Sequence, residues 1–158
     1  MSELQPKYVS ESAIHDQTAI VFPNDLNAYG TLFGGRAIEM ADRVAAVVAF
    51  RHSGRQCVTL ALDSVRFLGP ARGGDIIVFQ ASVNRVWRTS MEVGVKASVE
   101  NFKTLRRTHI FSAYFTFVAM DEQFNPVQVA PVTPVTDDEK RRYEKAEQRR
   151  QRRLLMTR

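Results

Sequence analysis

Apolar and polar residues follow one another along this chain in two different ways, which together predict one long helix followed by a sheet. Between Ile38 and Phe50 nearly every residue is apolar, and this predicts a mostly enclosed helix over about residues 35–51. The helix should stop at residues 52–54, where His52 is expected to place a favourable charge at the negative end of the helix. From Cys57 onward the period changes to two, which is typical of strands.

Four long strands are predicted after the helix and one short strand before it. From Met91 to Glu100 every second residue is apolar, which predicts an antiparallel strand with one wet face. The last run is apolar almost throughout and predicts a central strand covered on both faces. The predicted strands cover Gln17–Phe22, Cys57–Leu68, Asp75–Trp87, Met91–Glu100 and Thr108–Asp121. This order of elements predicts an α+β fold with an antiparallel sheet.

A charged helix is predicted at the end of the chain. Thr136 fits an N-cap with Glu139 three positions later, and carboxylates crowd the first turn, which suits the positive end of a helix. The chain is therefore divided into a loose lead-in over residues 1–16, one domain over 17–135 and a basic helix or tail over 136–158. The acidic and basic residues of the tail alternate, so a solvated helix is expected.

Charge changes this picture less than its total suggests. The 158 residues contain 22 Lys and Arg against 17 Asp and Glu, a net charge of +5, which alone would favour a nucleic acid or an anionic surface as partner. Residues 137–158 carry nine basic and five acidic side chains, however, so the body of the chain has a net charge of only +1. A nucleic-acid partner is therefore not expected.

The remaining composition excludes several classes of protein. The single cysteine, Cys57, rules out an intramolecular disulfide and a cysteine-based metal site, and no metal site is predicted. The first ten residues have no apolar segment of a secretory signal, and no run approaches the roughly 18 apolar residues needed to span a bilayer. A cytoplasmic protein with no membrane partner is expected.

Asp42 is the residue of the predicted helix that most needs an explanation. It falls in line with Ile38 and Ala45 on a face of apolar and small residues, and burial of an unpaired carboxylate costs several kcal/mol. It could be half exposed beside Arg43, or pair with a strand arginine such as Arg66. Alternatively, it is a catalytic carboxylate held in a partly desolvated site.

Two glycines, Gly34 and Gly35, lie at the predicted start of the helix. Without Cβ atoms they let a ligand approach the backbone, and their N–H groups point outward at the positive end of the helix dipole. A carbonyl oxygen that develops negative charge could bind there, as in an oxyanion hole. The same pair could instead serve only close packing.

The motif Asn27-x-x-Gly30-x-x-Phe33-Gly34-Gly35-x-x-x-x-x-x-Asp42 resembles the signature of the hotdog-fold acyl-CoA thioester hydrolases. The similarity extends over about residues 16–121 and includes the turn at residues 67–75 and the strand at residues 115–119. Within this family the chain is most similar to the cytosolic type, which is found in bacteria and also, as a tandem repeat, in brain. Ala41 departs from the leucine or methionine that usually precedes the aspartate.

The resemblance implies a fold and an assembly. The fold is a five-stranded antiparallel sheet wrapped around one long central helix. Two copies join their sheets edge to edge, and Asn27 of one copy faces Asp42 of the other in each of two active sites. Related members assemble further into trimers of dimers, that is, hexamers.

The resemblance also implies an activity, the hydrolysis of acyl-CoA to a free fatty acid and CoA without a cofactor. Gly34 and Gly35 would donate hydrogen bonds to the thioester carbonyl, Asn27 would orient water or the thioester, and Asp42 would act as general base or as nucleophile. The phosphates of CoA need cationic or polar partners, and candidates are Arg88, Thr89 and Ser90 in a predicted hairpin turn.

Two non-enzymatic alternatives remain open. One is an acyl-CoA sensor that keeps the fold and binds the ligand without turnover; known sensors of this type carry an added DNA-binding segment, and the basic tail raises that question here. The other is a pure assembly module, which would give no reason for both Asn27 and Asp42 to be present.

Overall fold

A five-stranded antiparallel sheet wraps around one long helix in the computed structural model, which describes residues 4–157. The two helices are α1 (Gly34–Ser53) and α2 (Asp137–Met156). The strands are β1 (Lys7–Tyr8), β2 (Ile14–Ile20), β3 (Gln56–Phe67), β4 (Ile76–Val86), β5 (Ser90–Glu100), β6 (Arg107–Met120) and β7 (Val132–Thr133). The sheet order is β2-β4-β5-β6-β3, so β2 and β3 form its edges. The predicted α+β architecture is confirmed.

The predicted elements agree with the structure to within a few residues, and the differences lie at the ends of the domain. Strand β2 begins at Ile14 rather than Gln17, so part of the predicted loose lead-in belongs to the sheet. Strands β1 and β7 form a separate parallel pair. Two-residue strands carry too little periodicity to be recognised in a sequence.

Small side chains let helix α1 lie close against the sheet. Its buried face packs into the core with the inward-facing residues of β4, β5 and β6, and it consists of Ala37, Ala41, Val44, Ala45, Val48 and Ala49. The opposite stripe is more exposed than the sequence predicts, because Val47 and Phe50 are 40 % and 45 % exposed. These two apolar side chains lie on the same exposed side of α1 as the charged residues Glu39 and Arg43.

Helix α2 packs across the other face of the sheet, which corrects the expectation of a solvated tail. Ala146 is fully buried, and the Arg149 guanidinium lies 2.6 Å from the carboxylate of Glu92 on β5, which is also fully buried. Arg153 pairs with Asp63 on β3. The face of β5 that was predicted to be wet is thus covered at Glu92. The central strand β6 is covered on both faces, as predicted.

The cap of α2 is formed as predicted. The Glu139 backbone N–H donates to Thr136 Oγ1 at 3.1 Å, and the Thr136 backbone N–H donates to the Glu139 carboxylate at 3.1 Å. This reciprocal arrangement satisfies two of the free N–H groups at the start of the helix.

His52 is buried rather than exposed, so the expectation of a charged histidine at the end of α1 is wrong. Its Nε2 lies 2.8 Å from the Ala130 carbonyl, a distance at which a ring N–H donates. Desolvation lowers the pKa of His52, which favours the neutral ring in the folded protein. The Lys7 ammonium donates to the His52 carbonyl at 2.8 Å and takes over the role of the cation at this helix end.

We expect acid to destabilise the protein through His52. Because the pKa of His52 is lowered in the folded state, the unfolded chain binds a proton below about pH 6.5 that the folded chain does not. The free energy of unfolding should therefore decrease as the pH falls from 7.5 to 5.5. In His52→Gln, which keeps an N–H donor, this decrease should be smaller, as measured by urea unfolding at both pH values. The matched control His15→Gln removes an exposed ring and should retain the wild-type pH dependence; equal slopes in all three proteins would contradict the assignment.

Candidate active site

The loop before α1 is closed by the side chain of Asn27. Its Oδ1 accepts hydrogen bonds from the backbone N–H groups of Tyr29 (2.9 Å) and Thr31 (3.2 Å), and its Nδ2 donates to Thr31 Oγ1 at 2.9 Å. Gly30 completes the turn with a φ of 76°, a left-handed conformation that favours glycine. An amide nitrogen has two hydrogens, so Asn27 keeps one N–H for another partner while it holds the loop.

The start of α1 presents free donors. The Ala37 N–H donates to the Phe33 carbonyl as the first bond of the helix, whereas the N–H groups of Gly34 and Gly35 have no hydrogen-bond partner within residues 4–157. They lie at the positive end of a 20-residue helix. Adjacent free donors at the positive end of a helix are groups that can stabilise an oxyanion.

Asp25 fixes the loop to the helix and was not identified from the sequence. Its carboxylate is 4 % exposed and accepts hydrogen bonds from Arg36 Nε at 2.8 Å and from the Phe22 N–H at 2.9 Å. The Arg36 guanidinium lowers the pKa of Asp25, so the carboxylate stays ionised. The Asp25 carbonyl also accepts from the Phe33 N–H at 2.9 Å. The spacing of Asp25 and Arg36 follows no local motif, so only the folded chain reveals the pair.

Asp42 lies on the side of α1 that faces strand β3. It is half-buried, and its Oδ1 accepts a hydrogen bond of 2.9 Å from the hydroxyl of Thr59 on β3. Within residues 4–157 it forms no salt bridge; Arg43 pairs with Glu39 instead. The alternative that paired Asp42 with Arg66 is thus not realised, whereas the half exposure that the other alternative expected is observed. The hydroxyl of Thr59 orients the carboxylate without neutralising it.

One chain does not bring Asn27 and Asp42 together. No hydrogen bond joins them, and each side chain contacts a different neighbour, Thr31 or Thr59. The two helical turns from Gly34 to Asp42 alone span about 12 Å. Within one chain, Asn27 and the free N–H groups therefore form one group of candidate residues, and Asp42 with Thr59 forms a separate group.

An apolar cavity of about 420 Å³ opens beside Gly34. It has no charged residue in its lining, which is Leu32, Gly34, Ala37, Phe67, Leu68, Gly69, Pro70, Ala71, Ile110 and Phe111. A Cβ atom at Gly34 would lie 3.5 Å from the Phe67 ring, in van der Waals contact with the lining of the cavity. The size and lining suit an apolar group of a small ligand.

The predicted phosphate-binding residues lie at the end of the sheet that is opposite to Gly34. Arg88, Thr89 and Ser90 form the β4–β5 turn, where the Arg88 carbonyl accepts from the Val129 N–H at 3.1 Å. This turn is close to the C-terminal end of α1, since His52 contacts the neighbouring Ala130. One chain therefore does not place the three residues beside Gly34.

Other types of site are not supported within the described part of the chain. No group of three or more potential metal-ligating residues occurs among residues 4–157. Burial raises the pKa of the Cys57 thiol, which lies 3.2 Å from the Ser53 hydroxyl, so its environment disfavours the reactive thiolate. No helix in residues 4–157 is long and apolar enough to cross a membrane.

Comparison with known proteins identifies the family. A model of the thioesterase superfamily matches residues 29–104. An uncharacterised acyl-CoA thioester hydrolase of Bacillus subtilis is 37 % identical over 88 % of this chain and 80 % of its own length. The chain belongs to the thioesterase superfamily, within its acyl-CoA thioester hydrolases.

Solved structures agree with this family. The acyl-CoA hydrolase of Staphylococcus aureus in complex with butyryl-CoA and CoA is 38 % identical, with a TM-score of 0.90 over 96 % of this chain and 92 % of that one. An apo hexameric acyl-CoA thioesterase is 38 % identical, with a TM-score of 0.92 over 98 % of both chains. The S. aureus hydrolase has also been solved with alanine in place of one aspartate, one asparagine or one threonine. The predicted hotdog fold is confirmed.

Proposed function

We propose that this protein hydrolyses acyl-CoA thioesters to a carboxylic acid and CoA, at sites that two copies of the chain build together. The observation that carries the proposal is the 2.9 Å hydrogen bond from Thr59 to Asp42. It leaves a half-buried, ionisable carboxylate oriented but unpaired, as a general base or a nucleophile requires.

The mutated residues of the S. aureus hydrolase support this assignment through their spacing. Its aspartate lies 15 residues after its asparagine, and its threonine lies 17 residues after the aspartate. Asn27, Asp42 and Thr59 have the same spacing in this chain. Asn27 and Asp42 were expected from the resemblance, and Thr59 is added by its contact with Asp42.

A second copy of the chain would bring the two halves of the site together. Strand β3 is an edge strand of 12 residues, and its side chains Val58, Leu60 and Leu62 are 39 %, 64 % and 39 % exposed. Tyr29, at the tip of the Asn27 loop, is 89 % exposed. A long apolar edge of this kind is a template for pairing with another chain. We infer a dimer through β3 and α1, and hexameric relatives support further assembly into a trimer of dimers.

In this arrangement the reaction needs only water. The thioester carbonyl accepts hydrogen bonds from the N–H groups of Gly34 and Gly35, which stabilise the negative charge that develops on its oxygen. Asp42 of the other copy takes a proton from water as the water attacks, or attacks the carbonyl carbon itself to form an anhydride that water then cleaves. The C–S bond breaks, and the CoA thiolate leaves and is protonated. The remaining N–H of Asn27 orients water or the thioester.

The second copy would also bring Arg88, Thr89 and Ser90 close to the proposed site. Antiparallel pairing of two β3 strands reverses one sheet relative to the other. The β4–β5 turn of one copy then lies at the end of the joined sheet where Gly34 of the other copy lies. We propose that these residues bind phosphates of CoA across the interface.

The apolar cavity beside Gly34 is the proposed position of the acyl chain. A carbonyl bound at Gly34 directs its alkyl substituent either into solvent or into this cavity, and burial of methylene groups is favourable by about 0.8 kcal/mol each. The half-exposed side chains Phe67 and Leu68 would be covered by such a chain.

This position predicts a change of chain-length preference when the cavity is filled. In Leu68→Trp, kcat/KM for decanoyl-CoA should fall about tenfold relative to kcat/KM for butyryl-CoA, because a larger side chain leaves less room for long chains. The measurement is release of the CoA thiol across acyl-CoAs of increasing length. Leu154→Trp is a matched control on the exposed surface of α2 and should keep the wild-type profile. Equal losses for short and long chains in Leu68→Trp would place the acyl chain elsewhere.

A further inference from the structure

Two groups of basic residues on α2 contact other parts of the molecule, and the catalytic site explains neither. The first group attaches the helix to the sheet: Arg149 and Arg153 pair with Glu92 and Asp63, and the Arg149 guanidinium lies 3.6 Å from the centre of the Tyr114 ring. The second group lies nearer the start of the helix and faces a cavity.

This cavity measures about 490 Å³ and lies between α2, residues 9–15 and the face of the sheet opposite α1. Its basic lining residues are Lys96, Arg141, Arg142, Lys145 and Arg149. Its floor carries polar groups of β4 and β6, namely Gln80, Ser82, Asn84, Ser112 and Tyr114. The sheet separates it from α1 and from the proposed catalytic residues.

The acidic residues at the cavity do not neutralise this charge. Asp138 accepts hydrogen bonds from both Arg141 and Arg142, and the Glu139 carboxylate caps the start of α2. Lys96 and Lys145 have no acidic partner within residues 4–157. The lining thus contains more basic than acidic side chains. Two of the basic side chains, Lys96 and Lys145, are free to bind an anion.

Asn84 adds an acceptor on the floor. The residue is 3 % exposed, its Nδ2 donates to Glu92 at 2.9 Å, and its Oδ1 has no hydrogen-bond partner within residues 4–157. On the adjacent strand, Gly94 makes room for this amide, since a Cβ atom there would lie 2.7 Å from Asn84 Nδ2. A buried carbonyl oxygen without a donor is unfavourable, and a ligand with an O–H or N–H group would satisfy it.

We propose that this cavity is a second ligand site, which binds an organic phosphate. Phosphate oxygens suit Lys96, Lys145 and the nearby arginines, which form charge-assisted hydrogen bonds with them. A hydroxyl or amino group on the same ligand donates to Asn84 Oδ1. The volume accommodates one phosphate and a sugar-sized scaffold.

The test measures binding rather than hydrolysis, so its outcome is independent of the proposed catalytic function. Ribose 5-phosphate and inorganic phosphate are titrated into the full-length protein by calorimetry at low salt. We expect saturable binding at one site per chain, tighter for ribose 5-phosphate because inorganic phosphate carries no scaffold that reaches Asn84. The double variant Lys96→Gln/Lys145→Gln should weaken binding at least about tenfold.

The matched control is Lys140→Gln/Arg152→Gln, which removes the same charge from exposed positions of α2 outside the cavity. It should change affinity by less than about twofold. Both variants should hydrolyse butyryl-CoA at the wild-type rate, which verifies that they are folded. Absence of saturable binding, equal weakening in both variants, or competition between ribose 5-phosphate and CoA for one site would each overturn the proposal.

Discussion

Replacement of Asp42 by asparagine is expected to lower kcat for acyl-CoA hydrolysis by at least about 10²-fold, because the amide cannot take a proton from water or attack the thioester. Asparagine keeps the size of the side chain and an oxygen that accepts from Thr59. The fold and the assembly should therefore stay unchanged. The measurement is thiol release from butyryl-CoA, together with circular dichroism and size-exclusion chromatography.

The control for this result is Glu39→Gln, which neutralises an exposed carboxylate one turn earlier on the same helix. It should retain nearly all of the activity. Near wild-type hydrolysis by Asp42→Asn would exclude Asp42 as base and as nucleophile. A wild-type protein that binds acyl-CoA without releasing thiol would instead favour the acyl-CoA sensor.

Two inactive variants should restore activity when they share one assembly. If each site takes Asn27 from one copy and Asp42 from the other, a mixed dimer of Asn27→Ala and Asp42→Ala has one site with both defects and one intact site. Every doubly tagged dimer is mixed and keeps one of its two sites, so about half of the wild-type activity is expected. The two chains are co-expressed with different tags, and doubly tagged dimers are purified before the thiol-release assay.

The control is a double variant, Asn27→Ala/Asp42→Ala, co-expressed with the wild type. Its mixed dimers have one defect in each site, so doubly tagged dimers should be nearly inactive. This contrast distinguishes a shared site from a site within one chain, for which the wild-type half would stay active. Inactivity of the first mixture would overturn the shared site and leave the role of Asp42 to be decided by the asparagine variant.

The long elements of the fold could be predicted because their patterns are local. The apolar run at residues 38–50 and the alternation at residues 91–100 each follow from burial on a helix or a sheet face. The cap of α2 was predicted for the same reason, since Thr136 and Glu139 are three residues apart. The spacing between Asn27 and Asp42 indicated the family from the sequence, because one loop and one helix fix that spacing.

The contacts that complete the site could not be predicted in this way. Thr59 meets Asp42 across 17 residues and two elements, and nothing in the run around Thr59 distinguishes it from any other strand threonine. The docking of α2 was missed because its arginines find their partners, Glu92 and Asp63, on strands far away in the sequence. Charge alternation alone is the same for a solvated helix and for one that pairs with a sheet.

The two edges of the sheet differ in a way that bears on the size of the assembly. Strand β3 offers a long apolar edge, whereas β2 is short, has an irregular register with β4, and exposes the polar residues His15, Asp16, Gln17 and Thr18. Asp16 is moreover engaged by Arg107 at 2.7 Å. Joining two copies through β3 would leave β2 at both ends of the extended sheet, where polar side chains oppose further strand addition. Such a sheet is self-limiting: it closes as a two-fold pair and does not grow into a fibre.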